Sequence, residues 1–279
     1  MSILDLEVIK KFALTCNDGY EQGWHEGNGG NLSYRMTAEE VEACKPYFTD
    51  DGVSAEGRDL FDLGVQADNL KNEYFMVTGT GKFFQNVKRD PAANMCILEI
   101  NDAGNGYRIV WGLVNGGGPT SEFPTHFMNH SVRVEATDGA CRVIYHAHPV
   151  NIIALTFVLP LTSEAFSRVL WESMTECPII FPNGVGVVEW MIPGGAEIAH
   201  KTCELQKKYD AIVWAHHGLF VSGNTFDAAF GLMHTIEKSA EIYCKVLSTG
   251  KPIAQTIPDE GLINAATAYG KKLNAELLK

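Results

Sequence analysis

Three histidines in the sequence have the types and spacing of a metal site. Residues 143–145 have the pattern of a buried strand, which leads into His146 and His148. Residues i and i+2 of a strand point to the same face, so the two imidazoles would stand side by side. Pro149 cannot donate to a sheet ladder, so the strand should end there, at a rim of the sheet. The pair suits a divalent transition metal, although chance alternation explains an isolated HxH about as often.

A second predicted strand, residues 211–214, leads to another pair of histidines, His216 and His217. His217 is favoured as the third ligand because Gly218 follows it and lets the backbone turn tightly. The role of His216 stays open. Three neutral imidazoles would leave a zinc ion its full charge and one open position, which is the catalytic pattern.

Other side chains that could bind a metal are less well placed. Cys141 lies five residues before His146, so in a continuous strand it would face away from both histidines of the HxH pair. We therefore do not expect it to be a ligand. The remaining histidines have no evident partner, and roles in the core or on the surface are expected for them: His25, His126, His130, His200 and His234.

Two glycine-rich loops could bind an anion. Residues 27–31 and 78–81 follow regular elements, and such loops expose successive backbone amides to phosphate oxygens. Neither is a nucleotide motif, since Leu32 breaks GxGxxG and Phe83 breaks the P-loop pattern. Taken alone, each loop is more often an ordinary turn. Side-chain donors nearby come from Asn28, Asn31, Thr80, Thr120 and Ser121.

Glu122 is the acidic residue nearest to these hydroxyl groups in sequence. It could be a metal ligand, a general base or a group at a helix terminus, with Thr120 or Ser121 as N-cap. Glu172 and Glu176 could be further acids, although surface positions on a helix are the default for both. A metal site, anion-binding loops and an acid together indicate a reaction at a carbon next to the carbonyl group of a sugar phosphate.

Composition restricts the class of protein. The 279 residues carry a net charge of −12, which argues against nucleic-acid binding, because phosphate neutralisation needs a surplus of lysine and arginine. The seven cysteines are scattered and contain no CxxC pair, which predicts reduced thiols and a cytoplasmic location. We also expect no membrane association, because no apolar run is long enough to span a bilayer.

Periodicity predicts a mixed α/β fold with hairpins as well as crossovers, not a doubly wound parallel sheet. Residues 37–72 are irregular and are predicted to form a peripheral excursion. Predicted strands cover residues 32–36, 74–77, 95–100, 107–111, 143–148, 179–181, 186–190 and 211–214. Predicted helices cover residues 4–22, a segment from 123, 151–159, 164–172, 197–208, a long segment from 226 to about 249, and 259–278.

The sequence resembles the class II aldolase/adducin-like family over nearly its whole length. The motifs that carry the resemblance are Trp24-His25-Glu26-Gly27-Asn28-Gly29-Gly30-Asn31-Leu32, Val77-Thr78-Gly79-Thr80-Gly81-Lys82, Pro119-Thr120-Ser121-Glu122, His146-Ala147-His148, Trp171-Glu172-Ser173-Met174-Thr175-Glu176-Cys177 and His217-Gly218. The resemblance implies one domain, 1–279, with three α/β/α layers and a central, largely antiparallel mixed sheet covered by helices.

The resemblance also implies an activity, namely zinc-dependent aldol cleavage of a ketose 1-phosphate. One Zn²⁺ per subunit would be held by His146, His148 and His217, with Glu122 as catalytic acid/base. The implied partner is another copy of the chain, in a homotetramer with interfacial active sites, where the catalytic residue Glu176 would reach a neighbour's substrate. The implied phosphate site consists of Asn28, Gly30, Asn31, Thr80, Gly81, Thr120 and Ser121.

Two positions depart from the family pattern, and two other functions remain open. Thr80 stands where a serine is usual, and His216 stands where an aromatic residue is familiar.

A relative acting on another sugar phosphate, as an aldolase or a 4-epimerase, would use the same residues. An adducin-like binding module would keep the fold and lose the ligands, so the intact histidine set argues against it.

Overall fold

The structure, a computed structural model, describes residues 2–48 and 61–278. Its centre is one mixed sheet to which the described residues contribute nine strands. These are β1 (Asn31–Arg35), β2 (Phe61–Asp62), β3 (Tyr74–Thr78), β4 (Met95–Ile100), β5 (Gly106–Gly112), β6 (Val143–Ala147), β7 (Gly186–Val188), β8 (Ala211–Trp214) and β9 (Gly218–Gly223).

The strand order across the sheet is β2-β5-β4-β3-β1-β6-β9-β8-β7. Every neighbouring pair is antiparallel except β7 and β8, which run parallel. The predicted largely antiparallel mixed sheet is therefore confirmed. β1 lies between β3 and β6, so Asn31 stands directly opposite His146 in the ladder.

Helices cover both faces of the sheet. They are α1 (Glu7–Glu21), α2 (Ala38–Cys44), α3 (Phe84–Arg89), α4 (Pro91–Asn94), α5 (Phe123–Ala136), α6 (Val150–Leu155), α7 (Ser163–Ser173), α8 (Cys177–Ile180), α9 (Ala196–Gln206), α10 (Phe226–Ser248) and α11 (Asp259–Ala268). Within the described residues, α10 is the longest of them. None of the described helices is both long and apolar enough to cross a bilayer.

Strand β1 shows how the two helical layers are separated. Ser33 bonds to histidines of α5 on one face. Its neighbour Tyr34 packs against Phe226 at the start of α10 on the other, with ring centroids 4.6 Å apart. This alternation follows from the two-residue period of a strand. It gives the three predicted layers, with α5 and α9 packed together on one side.

Two predicted elements differ in the structure. Residues 179–181 were predicted as a strand from their apolar run, but Cys177–Ile180 form a short helix with Pro178 in its first turn. Proline fixes φ near the helical value and suits this position. The last helix ends at Ala268 because Gly270, at φ +68°, turns the chain, and residues 275–278 form a separate 3₁₀ turn. The structure also adds β9, α3 and α4, which the periodicity does not indicate.

The predicted excursion, residues 37–72, is described only in part, because residues 49–60 lie outside the described ranges. Its first part contains α2, and its second part contributes β2 to the edge of the sheet. Leu63 and Leu70 are buried in a small apolar cluster with Phe127 of α5. The described ends of this segment therefore pack onto the rest of the domain.

Candidate active site

Three imidazoles meet where strands β6 and β8 end and β9 begins. His146 is the penultimate residue of β6, and His148 follows the strand just before Pro149 starts the approach to α6. His217 lies in the short turn between β8 and β9. The candidate ligand atoms of the three rings all lie within 4.8 Å of one another. The Nε2 atoms of His146 and His217 are 3.3 Å apart.

Hydrogen bonds on the far side of two rings fix which nitrogen faces the site. His146 Nδ1 donates to the Leu219 carbonyl at 3.1 Å, and His148 Nδ1 donates to Glu26 Oε1 at 2.7 Å. Each donor leaves an Nε2 lone pair. His148 Nε2 is buried and has no hydrogen-bond partner in the described part of the chain. Convergent imidazole lone pairs with an orphaned buried nitrogen fit a divalent metal such as Zn²⁺.

Burial keeps two of the rings neutral at physiological pH. It lowers the pKa of His146 well below the ordinary value, and it lowers the pKa of His217 to about 4. The proximity of His148 lowers both values further. A metal binds the neutral imidazole, so the site does not need to release a proton from these two rings to accept the ion.

The structure separates His217 from His216, whose role the sequence left open, and from Cys141, which was not expected to be a ligand. His216 adopts a left-handed backbone, φ +58°, and its Nδ1 bonds to Thr156 Oγ1 at 3.2 Å. It is not part of the three-histidine cluster. Cys141 lies before β6, where its thiol contacts the carbonyls of Val143 and Gly223. The expectation that it faces away from the metal site agrees with this position.

The glycine-rich loop before β1 packs against the histidines. Gly30 has φ +75°, and a Cβ there would lie 2.7 Å from the His146 carbonyl oxygen. A Cβ on Gly29 would lie 2.9 Å from the His148 ring. Only glycine permits this approach. The loop therefore lies directly beside the imidazoles, with Asn28 at its exposed tip.

The second loop is joined to the segment that precedes α5. The amide of Thr80 donates to the Gly118 carbonyl, and the amide of Thr120 donates to the Thr78 carbonyl, at 2.9 and 2.8 Å. These bonds hold the Thr80 and Thr120 hydroxyls near each other. Gly81 has φ +66° and lines the same pocket. The arrangement offers hydroxyl and amide donors to an anion.

Glu122 precedes the first turn of α5 and is buried, but its carboxylate does not cap the helix. Its Oε2 accepts a hydrogen bond from Asn31 Nδ2 at 2.7 Å. Burial raises the pKa of Glu122, although the bond from Asn31 and the nearby His148 oppose the shift. A carboxyl group whose pKa lies above the ordinary value keeps its proton to a higher pH than an exposed one, which suits a group that must donate as well as accept a proton.

The chain matches the family "Class II Aldolase and Adducin N-terminal domain" over residues 10–244. The chain belongs to the class II aldolase and adducin family.

Named relatives and solved structures are similar to this chain over most of its length. A rhamnulose-1-phosphate aldolase of Klebsiella pneumoniae is 44% identical over 278 residues, 100% of this chain and 97% of the relative. One from Yersinia pestis is 44% identical over 96% of this chain and 95% of its own length. Among solved structures, a sugar-phosphate aldolase from Thermotoga maritima matches with TM-score 0.71 and 29% identity, covering 88% of this chain and 97% of that one. An L-fuculose 1-phosphate aldolase shares the fold, with TM-score 0.60 and 20% identity over 97% and 100% of the two chains.

Twelve site residues were predicted from the sequence of this chain. One pocket of about 180 Å³ brings eleven of them together. These are Asn28, Gly30, Asn31, Thr80, Gly81, Thr120, Ser121, Glu122, His146, His148 and His217. The twelfth, Glu176, is exposed beside α8 and does not line this pocket.

Several residues at the site were not singled out from the sequence. Gly29 and Gly79 also line the pocket, and Glu26 holds His148. His126 and His130 had no evident partner in the sequence and were expected in the core or on the surface. Both are buried, and both bond to Ser33. Their common position could have been inferred from the sequence, because His126 and His130 stand four residues apart and residues at that spacing share one face of a helix.

Proposed function

We propose that this protein is a zinc-dependent rhamnulose-1-phosphate aldolase. It would reversibly cleave L-rhamnulose 1-phosphate to dihydroxyacetone phosphate and L-lactaldehyde. The observation that supports this most is the identity of 44% over the full chain to rhamnulose-1-phosphate aldolases, together with an intact set of three histidines and Glu122 in one pocket.

The proposed cofactor is one Zn²⁺ per subunit, held by His146, His148 and His217. When bound, zinc supplies a Lewis acid that stabilises negative charge developing on the substrate's carbonyl and adjacent hydroxyl oxygens. The three imidazoles are neutral ligands, so they leave the charge of the cation available to the substrate. Glu26 and the Leu219 carbonyl orient two of the rings for this task.

The proposed role of Glu122 is to move the proton at C3 of the substrate. In cleavage a base accepts the proton of the C4 hydroxyl, the C3–C4 bond breaks, and the electron pair of that bond stays with C3 in conjugation with C2. One proton leaves the C4 oxygen for the one that C3 receives. Glu122 then delivers its proton to C3, and in synthesis it removes the same proton by microscopic reversibility. Its Oε1 makes no hydrogen bond within the described part of the chain, so this oxygen is free to face the substrate.

The proposed phosphate site lies between the two glycine loops. The backbone amides of Gly81 and Ser121 make no hydrogen bond to other described residues, so both can donate to a phosphate oxygen. Thr80, Thr120, Ser121 and Asn28 add side-chain donors. A net charge of −12 makes such local donors necessary, because the chain as a whole repels an anion.

The decisive experiment combines metal removal with product analysis. The purified protein should cleave L-rhamnulose 1-phosphate to free lactaldehyde, lose activity on full chelation, and regain it with zinc. Full activity after complete demetallation would contradict the metal's role. A higher kcat/KM for L-fuculose 1-phosphate would assign the alternative aldolase, and ribulose 5-phosphate epimerised without aldehyde release would assign a 4-epimerase.

The acid/base role has its own test in Glu122→Ala. This variant should retain its zinc, shown by metal analysis, and lose about two or more decades of turnover. Turnover near that of the wild type, with zinc present, would remove Glu122 from the mechanism.

We further propose that the chain acts in the cytoplasm as a homotetramer with active sites at subunit interfaces. All seven cysteines are free thiols, which suits a reducing compartment. Large apolar side chains are exposed on the single chain, including Phe157 at 71%, Trp190 at 61% and Ile192 at 73%. Phe157 packs against His216, next to the third metal ligand, so a subunit covering it would lie beside the site. Glu176 would then contact a neighbour's substrate.

A further inference from the structure

A row of buried polar side chains extends from Glu122 into the layer between β1 and α5. Asn31 and Ser33 stand two residues apart on β1, and His126 and His130 stand four apart on α5. All four side chains are buried. Buried polar groups in such number are costly unless every one is hydrogen-bonded, so their arrangement calls for an explanation.

The bonds form one continuous chain. Asn31 Nδ2 lies 2.7 Å from Glu122 Oε2, and Asn31 Oδ1 contacts His126 Nε2. Ser33 Oγ lies 2.7 Å from His126 Nδ1 and 2.8 Å from His130 Nε2. Each member is thus bonded to the next, from His130 to the carboxylate of Glu122.

The chemistry of the groups gives the chain a direction. Ionised Glu122 can only accept, so Asn31 must present its NH₂ to it and its carbonyl to His126. His126 then carries its proton on Nε2, and its Nδ1 accepts from the Ser33 hydroxyl. Ser33 in turn accepts from His130 Nε2–H. Burial supports one proton per ring, because it lowers the pKa of His126 to about 3 and that of His130 well below the ordinary value.

The opposite direction is unfavourable at both ends. It would turn the Asn31 carbonyl towards an ionised carboxylate, so that two acceptors faced each other. It would also place the His130 proton on Nδ1, an atom that is buried and has no partner within the described residues. A buried N–H without an acceptor loses its hydration with no compensation.

We propose that His126, supported by Ser33 and His130, is a positioning residue that fixes the Asn31 amide and thereby anchors Oε2 of Glu122. The other oxygen, Oε1, is then the one that carries the proton to and from the substrate. The role of His126 in catalysis rests on the proposed aldolase function. The direction of the hydrogen bonds does not depend on that function.

The hydrogen positions can be tested without any activity. Neutron diffraction from deuterium-exchanged crystals should show deuterium on Nε2 and none on Nδ1 in both His126 and His130. The deuterated nitrogen of Asn31 should face Glu122. Deuterium on His126 Nδ1, or an Asn31 carbonyl directed at Glu122, would overturn the inference whatever reaction the protein catalyses.

The effect on catalysis can be tested with two variants of one residue. His126→Leu removes the donor to Asn31 and should lower kcat about tenfold to a hundredfold with little change in KM, as for a misplaced catalytic group. His126→Gln places an amide N–H near the position of Nε2 and should restore kcat to within about threefold of the wild type. Both variants should keep their metal.

Phe127→Leu is the matched control, because Phe127 lies on the same helix, is fully buried, and packs its ring against Phe75 and Phe123 without a hydrogen bond to the chain. It should lose stability and keep kcat. Equal loss of kcat in Phe127→Leu and His126→Leu, or no recovery in His126→Gln, would show a merely structural role and overturn the proposal. If the wild type cleaves no sugar phosphate, the proposed function fails, while the neutron result still decides the direction of the chain.

Discussion

Glu122 illustrates the conflict between stability and chemistry at a single residue. Its carboxylate is buried, and burial raises its pKa, so the ionised form costs more in the folded chain than in the unfolded one. Asn31 opposes this cost with one hydrogen bond. A glutamine here would keep an acceptor for Asn31 without a charge to desolvate.

We therefore predict that Glu122→Gln stabilises the metal-free protein near neutral pH. Because the folded-state pKa lies above the unfolded one, the folded wild type binds the proton more tightly. It therefore loses stability as the pH rises from below the unfolded pKa to above the folded pKa. Glutamine has no such titration, so its advantage should be absent in acid and constant above the folded pKa. Chemical denaturation at several pH values, with chelator present, measures the difference.

The exposed Glu176 provides the control for this substitution. Glu176→Gln should leave the free energy of unfolding unchanged over the same pH range. A Glu122→Gln variant less stable than the wild type at neutral pH would show that the ionised carboxylate stabilises the fold, contrary to the argument from burial.

Glu26 is predicted to strengthen metal binding through His148. Its carboxylate accepts from His148 Nδ1 and orients the ring. Glu26→Ala should weaken zinc binding by about tenfold, the lower end for loss of such a partner, because Glu26 is itself exposed. Competition with a chromophoric chelator measures the dissociation constant. Glu21→Ala is the matched control, since Glu21 is exposed and, within the described residues, its side chain bonds only to Asn17 on its own helix. Equal zinc affinity in the two variants would contradict the role of Glu26.

The sequence predicted the residues of the pocket better than the residues behind it. The HxH pair and the glycine loops have recognisable spacings along the chain, and together with the resemblance to a family they allowed eleven pocket residues to be named in advance. The hydrogen-bonded chain has no such local pattern. It forms only because β1 packs beneath α5, so that Ser33 meets His126 and His130 from almost a hundred residues away.

At the scale of elements, α6 shows how a helix start is fixed by a distant helix. It begins just after His148 and has no side-chain cap of its own. Glu237 of α10 instead accepts the amides of Asn151 and Ile152, both at 2.9 Å, and the Asn151 side chain at 2.7 Å. A carboxylate at a helix N-terminus satisfies free amides and interacts favourably with the helix dipole.

Glu237→Ala is accordingly predicted to destabilise the fold by about 1–3 kcal/mol, because it leaves buried amides unpaired. Denaturation at equal protein concentration measures the loss, and hydrogen exchange should become faster in Val150–Leu155. Glu241 lies one turn further along α10 and, among the residues that the structure describes, pairs only with Lys238 and Lys245. Glu241→Ala should therefore cost much less. Similar losses in both variants would argue against capping by Glu237.

Which elements could be predicted depended on their length. The long amphipathic helices and the strands with clear alternation were predicted within a few residues, as for α10 and β1. Short apolar runs were not separated reliably, since the strand β8 was predicted correctly and the helix α8 was not. Four residues contain too little periodicity to separate a strand from a helix, so the apolar run after Pro178 gave the wrong prediction.

At the scale of the molecule, the strand order could not be derived from local pattern. β1 pairs with β3 on one side and with β6, more than a hundred residues away in sequence, on the other. This pairing brings the glycine loop before β1 to the histidines after β6. Distant pairing of this kind is specified by the packing of whole layers. The resemblance to a family supplied the largely antiparallel mixed sheet in advance, but not the strand order.

The proposed tetramer predicts that two inactive variants should complement each other. If Glu176 acts in a neighbour's site, a site needs Glu122 from one subunit and Glu176 from the next. Glu122→Gln and Glu176→Ala subunits, co-expressed in equal amounts, would assemble at random. About a quarter of the sites would then combine an intact Glu122 with an intact Glu176 from different subunits.

Turnover per site should therefore recover to about a quarter of the wild-type value, far above either variant alone. Native mass spectrometry verifies that mixed tetramers have formed, and each variant mixed with itself is the control. Mixed tetramers without recovered activity would place Glu176 in its own subunit's site or outside the mechanism. A monomer in solution would remove the shared site altogether, and the exposed Phe157, Trp190 and Ile192 would then need another partner.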